Sequence, residues 1–206
     1  MTTYKIIVAR YNENINWLKD EMNNCIIYNK GVKLNIDNEI MLENKGRESE
    51  TYLHYIITNY HNLPDVVVFT QGRISDHVHN DVQYLLTIKK DAFLHGKSEA
   101  RVIHTETRDN KDWQWNRDWN MICGSFEREQ YKNNTNISFY DWFITNIDNT
   151  YPSPIHIYCN GIFAVKKEKI LKRSIDYYKK LILEVNYNIN PIEGHFFERS
   201  WYHIFN

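Results

Sequence analysis

The sequence predicts an α/β domain with a mainly parallel central sheet flanked by helices. Two patterns carry this reading: an apolar run opens the chain, and strand-like and helix-like segments alternate after it. A third is Asp65-Val66-Val67-Val68-Phe69-Thr70, whose unbroken apolar core suits a central strand covered on both faces.

Taken in order, Tyr4-Lys5-Ile6-Ile7-Val8-Ala9 is the opening strand, and the polar loop Arg10-Tyr11-Asn12-Glu13 follows it. Asn14 is placed to cap a short helix through Trp17 and Leu18. Cys25-Ile26-Ile27-Tyr28 forms a second strand, ended by Asn29-Lys30-Gly31. A polar connection leads to a helix from Glu48 to Tyr60, with Tyr52, Leu53, Tyr55, Ile56 and Ile57 on its inner face. Leu63-Pro64 stops that helix. After the central strand, Gln71-Gly72 breaks the run, and a polar loop leads to a helix from Asp81 to Lys90.

Residues 92–136, rich in Trp, Asn and charge, read as an active-site excursion with one or two short strands. Ser138 caps a helix through Ile147. Ile155 to Val165 alternates as a late strand pair, with Gly161 at a close approach. Lys166 to Glu184 reads as one amphipathic helix, and Glu193 to Phe205 as a terminal one. Neither a repeat nor a linker interrupts the pattern, so one domain is expected over residues 1–206.

Composition narrows the function classes. Lys and Arg number 25 against 26 Asp and Glu, with both signs scattered. No basic block points to nucleic acid, so phosphate binding needs a local site and not a global field. Aromatics reach 15%, with 15 Tyr and 6 Trp, which suits either stacking on sugars and bases or an aromatic-rich core. Cys25, Cys123 and Cys159 form no C-x-x-C pair, so neither a disulfide framework nor a zinc knuckle is indicated, and a reducing compartment is expected. No apolar run approaches ~18 residues, so no membrane span is expected, and the location expected is cytoplasmic.

In an open parallel sheet, ligands bind beyond the carboxyl ends of the strands. Three such ends carry Arg10-Tyr11-Asn12-Glu13, Tyr28-Asn29-Lys30 and Gln71-Gly72; each is also a plausible solvated turn. Asn44-Lys45-Gly46-Arg47-Glu48 sets Arg47 at the positive end of a helix, where anions are favoured, though carbonyl bonding would suit it equally. Arg73-Ile74-Ser75-Asp76-His77-Val78-His79-Asn80-Asp81 gathers carboxylates and imidazoles directly after the central strand. Such ligands suit Mn²⁺ or Mg²⁺ on a diphosphate, while Asp76 or Asn80 also serves as an ordinary helix cap. Near the C-terminus, Asn160-Gly161 sits at a strand, and Glu193-Gly194-His195 opens the last helix before Glu198. Glu193 or Glu198, with His195 beside them, is a candidate general base; the polar face of a terminal helix is the plainer reading. There is no G-x-G-x-x-G, no P-loop and no G-x-S-x-G.

These residues carry a resemblance. Val8-Ala9-Arg10-Tyr11-Asn12-Glu13 with Trp17-Leu18, Ile27-Tyr28-Asn29-Lys30-Gly31, Gly46-Arg47-Glu48 with Thr51-Tyr52-Leu53, Phe69-Thr70-Gln71-Gly72 and Asp76-His77 look like a widespread family of uncharacterised proteins. More specifically, the chain resembles the small GT-A-type glycosyltransferase domain with which large DNA viruses of algae glycosylate their capsid protein. Gly161-Ile162-Phe163-Ala164-Val165 with Ile170, then Glu198-Arg199-Ser200-Trp201, is similar to the acceptor-side end of that group.

The resemblance implies a GT-A-like fold, a nucleotide-diphosphate sugar donor (UDP-linked by expectation), a glycan or glycoprotein acceptor and a divalent metal. It sets the nucleotide against Arg10, Tyr11 and Glu13, with Lys30, Arg47, Gln71, Gly72 and Asn160 nearby, and the metal at Asp76, His77 and His79. The sequence departs from the group where Gln71-Gly72 replaces the expected Asp-x-Asp. Metal-assisted, inverting transfer is the leading expectation. A metal-dependent nucleotide-sugar phosphodiesterase and a non-enzymatic carbohydrate-binding module are the alternatives.

Overall fold

The structure is a computed structural model that describes residues 2–96, 101–103, 139–152 and 154–206. Its centre is a five-stranded sheet. Strand β1 (Tyr4–Arg10) lies between β2 (Cys25–Asn29) and β4 (Val66–Gln71), and β3 (Glu39–Met41) extends the sheet beyond β2. These three pairings are parallel, with Ile7 opposite Ile26 on one side and Phe69 on the other. A second, two-stranded sheet pairs β5 (Arg101–Ile103) with β6 (Ile155–Ile157), antiparallel. The far edge of the main sheet is β7 (Phe163–Lys166), which runs antiparallel to β4. The sheet is therefore mixed and not purely parallel.

Helices cover both faces. On one side lie α1 (Arg47–Asn59), α3 (Phe139–Asn146), α5 (Ile175–Leu183) and α6 (Glu193–Phe205). On the other lie a 3₁₀ helix (Asn16–Asn24) and α2 (Asp81–His95). Side chains alternate across a strand, and the central strands obey this strictly. Ile7, Val67 and Phe69 join Tyr52, Trp142, Tyr178 and Trp201 in one core. Ile6, Val8, Val66 and Val68 join Leu18, Leu85 and Ile88 in the other. The aromatic excess is largely a packing feature of the first face: Tyr52, Phe69, Phe163 and Trp201 meet ring to ring at 4.8–5.9 Å. Each such ring contributes about 1.5–3 kcal/mol on burial.

Several sequence expectations are corrected here. The polar connection before α1 contains β3, hidden because Glu39-Ile40-Met41 is an exposed edge with no alternation to detect. The late strand pair exists as two strands, but β6 and β7 do not pair with each other; each joins a different sheet. The long helix from Lys166 is broken into α4 (Lys167–Ile170) and α5. Ser174 is the reason: its hydroxyl accepts from the Tyr177 amide at 3.2 Å, an N-cap that begins a new helix. Asn14 does not cap a regular helix, but its side chain accepts from the Asn16 amide and starts the 3₁₀ turn. Of the excursion proposed over 92–136, α2 claims residues up to His95 and β5 supplies one strand; the remainder lies outside the described residues.

Candidate functional site

The order β3-β2-β1-β4 places a reversal between β1 and β4. The chain builds outward on one side of β1 through β2 and β3, then returns through α1 to lay β4 on the other side. The carboxyl ends of β1 and β4 lie side by side at that reversal, and ligands of open α/β sheets bind beyond such strand ends. A cleft of ≈ 540 Å³ opens there. Arg10, Tyr11, Glu13, Lys30, Arg47 and Gln71 all line it. Three strand ends and one helix start, distant in sequence, converge as expected.

The cations in this cleft are not equivalent. Arg10, only 7% exposed, uses its guanidinium as a clasp. Its Nε donates to the Glu13 carbonyl at 2.9 Å, and Nη1 donates to Asn29 Oδ1 at 2.8 Å and to the Val32 carbonyl at 2.9 Å. A rigid fork of donors suits this work, because it ties two loops at once. Lys30 is likewise committed. Its ammonium reaches the carbonyls of Lys45 and Arg47 and the Glu50 carboxylate, the last at 2.7 Å. Those contacts use all three of its donors. Burial lowers the Lys30 pKa, with the Glu50 charge opposing that shift. Arg10 and Lys30 thus shape the rim and do not face a ligand.

Arg47 does face the cleft. It opens α1 with its side chain 36% exposed. Its Nη1 lies 3.2 Å from His195 Nε2 and 3.4 Å from Asn190 Oδ1, and its Nε lies 3.7 Å from Glu48 Oε2. Its backbone is left-handed, φ 50°, directly after Gly46 at φ 62°. A second pair of this kind, Asn160 at φ 58° and Gly161 at φ 65°, stands nearby. Gln71 Nε2 donates to the Asn160 carbonyl at 3.1 Å, and a Cβ on Gly161 would meet the Glu48 side chain at 3.7 Å. Non-glycine residues with positive φ cost energy and cluster where geometry is functionally fixed. Two such corners flank this one cleft.

Behind Arg47 stands α6. His195 Nδ1 lies 3.9 Å from Glu198 Oε2, and Arg199, 2% exposed, donates to the His195 carbonyl at 2.7 Å. Burial raises the Glu198 pKa. The hydrogen bond from His195 and the charges of Arg199, His195 and Arg47 outweigh it, so the carboxyl stays below its ordinary range. His195 and Glu198 support Arg47 from the rear and do not line the cleft. Glu193 is further removed; its Oε2 accepts from the Tyr187 hydroxyl at 2.6 Å.

The Asp76 turn is a different environment. Asp76, His77 and His79 are exposed, and none of them lines the cleft. Asp76 pairs with Arg73 at 3.1 Å and with His77 at 3.7 Å. Among the described residues no group of three His, Cys, Asp or Glu side chains is gathered to hold an ion. Asp76, His77 and His79 are thus not gathered into the ligand set that the sequence suggested for a divalent metal.

Glu48 is the cleft residue that sequence reading passed over as a candidate, along with Asn190. Its signal was present: a carboxylate in the first turn beside a glycine-initiated helix. The Gly72 amide donates to the Ala9 carbonyl at 2.8 Å, tying the ends of β1 and β4. Among the described residues, no helix is long and apolar enough to cross a membrane. No curated protein and no solved structure matches this chain. The family described as "Protein of unknown function (DUF3431)" matches residues 6–206, nearly the whole length, and the chain belongs to that family.

Proposed function

We propose that the protein is a glycosyltransferase of GT-A-like build that takes a nucleotide-diphosphate sugar, UDP-linked, into the cleft between β1 and β4. The observation that supports this reading most strongly is the cleft's position at the strand-order reversal, with Arg47 presented at a helix start between two left-handed corners. Tyr11, 51% exposed at the rim, offers a flat face to a nucleobase. Arg47 and the positive end of α1 hold the diphosphate. Glu48, beside Gln71 and Gly161, meets the sugar hydroxyls.

Glu13 takes the base role first sought at Glu193 or Glu198. Its Oε2 is held by the Tyr11 amide at 2.7 Å, while Oε1 has no partner among the described residues. The acceptor hydroxyl gives its proton to Glu13 as its oxygen bonds to the anomeric carbon. The bond from that carbon to the diphosphate oxygen breaks, and the diphosphate leaves with the electron pair. Arg47 is placed to stabilise the charge that develops there. One displacement of this kind inverts the anomeric centre. No step is routed through a metal.

Calorimetry with UDP and UDP-glucose tests this. The expectation is binding without added metal, weakened tenfold or more by Arg47→Ala, a loss of about 1.5–3 kcal/mol for a charge-assisted bond. Products then identify the reaction: transfer or slow hydrolysis leaves an intact diphosphate. Release of sugar phosphate would make the protein a phosphodiesterase, and failure of every nucleoside diphosphate to bind would end the proposal.

A further inference from the structure

Glu13 is a shared wall. On its far side a second pocket of ≈ 560 Å³ is lined by Asn14, Asn16, Trp17, Ser75 and Asp81. The two pockets meet at one carboxylate but differ in chemistry. The first presents Arg47. The second has Arg73 as its cation, and Asp76 neutralises it at 3.1 Å; Glu13 and Asp81 add negative charge. An anionic ligand is disfavoured there. Besides that guanidinium, its lining is amide, hydroxyl, carboxylate and one indole.

Trp17 is fixed in orientation. Its Nε1 donates to the Gly72 carbonyl at 2.9 Å, and its ring packs against the second core. The Asn16 side-chain amide and the Ser75 hydroxyl have no partner among the described residues, so they are available to donate and accept. An aromatic face with amides and a carboxylate around it matches a pyranose, which has an apolar C–H face and vicinal hydroxyls.

Gly72 keeps the partition thin. A Cβ there would lie 2.8 Å from Glu13 Oε2 and 3.4 Å from Arg10 Cα. A larger residue would force the Glu13 carboxylate away from the boundary.

We propose that this second pocket binds a neutral saccharide, the acceptor glycan, with a hydroxyl directed at Glu13. That it is the acceptor side rests on the donor reading of the first cleft; that it binds sugar does not.

The test is saturation-transfer NMR with a panel of neutral disaccharides (cellobiose, maltose, xylobiose, chitobiose) on the intact chain. Asn16→Ala/Asp81→Ala alters exposed or half-exposed side chains and is read beside Trp17→Leu. At least one disaccharide binds the wild type, and the double variant weakens it tenfold or more while leaving UDP affinity unchanged. If no disaccharide binds, or binding survives the double variant, the saccharide pocket is wrong even where UDP binds. If a disaccharide binds this pocket and UDP fails, the pocket stands and the donor reading falls.

Discussion

Two polar segments follow adjacent strand ends, and they have opposite fates. The rim around Arg10, Lys30 and Arg47 is drawn together by carbonyl clasps and a buried ion pair into a walled cleft. The Asp76–His79 turn, richer in conventional ligand residues, stays exposed and neutralises its own charge through Arg73. Residue type alone favoured the second segment. What separates them is topology: the first lies where the strand order reverses, and the second lies one loop beyond it. The lesson extends inside the rim, because two of its three cations build the wall and one addresses the cleft.

The largest effect that sharpens this contrast is on stability. Lys30→Met leaves the Glu50 carboxylate without its buried partner and takes the ammonium away from the Lys45 and Arg47 carbonyls. It is expected to lower unfolding free energy by about 3–5 kcal/mol in urea titrations. A loss under 1 kcal/mol would show that Lys30 is free to serve a ligand. Next comes Gly46→Ala. A Cβ at that left-handed position would sit 2.8 Å from the Val185 carbonyl oxygen. The strain is about 1–2 kcal/mol before the clash, and α1 would shift with Arg47. A lowered melting temperature together with weaker UDP binding is the expected result; unchanged UDP affinity would uncouple the corner from the site.

A smaller effect concerns the far end of α6. Burial, then the charge of neighbouring His156, depresses the His203 pKa to about 4. The unfolded chain takes up a proton near pH 6.5 that the folded chain resists, so stability is full above that pH and declines as pH falls toward 4. His203→Gln is expected to flatten the melting temperature between pH 6.5 and 4 without altering UDP affinity at pH 7. An unchanged pH profile would contradict it. The smallest expected effect is that of Asp76→Asn: a solvated pair contributes ~1 kcal/mol or less. A large loss of UDP binding there would restore the metal expectation.

Much of this was legible beforehand, and the failures have physical causes. β1, β2, β4 and α6 announce themselves through apolar runs and amphipathic spacing, because burial selects residue type directly. The convergence of Arg10, Lys30, Arg47 and Gln71 followed from strand ends in an α/β sheet. Sequence could not separate clasp from contact at Arg10 and Lys30, since both roles demand a buried cation. It missed β3 because an exposed edge strand needs no apolar pattern. It paired the two late strands with each other, because composition does not say which sheet a strand joins.

The central claim is that a nucleotide-diphosphate sugar sits at the β1–β4 reversal. Hydrogen–deuterium exchange of the intact chain with and without UDP tests it most directly. Slowed exchange in residues 10–13 and 44–48, with 76–80 unchanged, is the result predicted. Protection confined to 76–80, or none in either segment at saturating UDP, would contradict it.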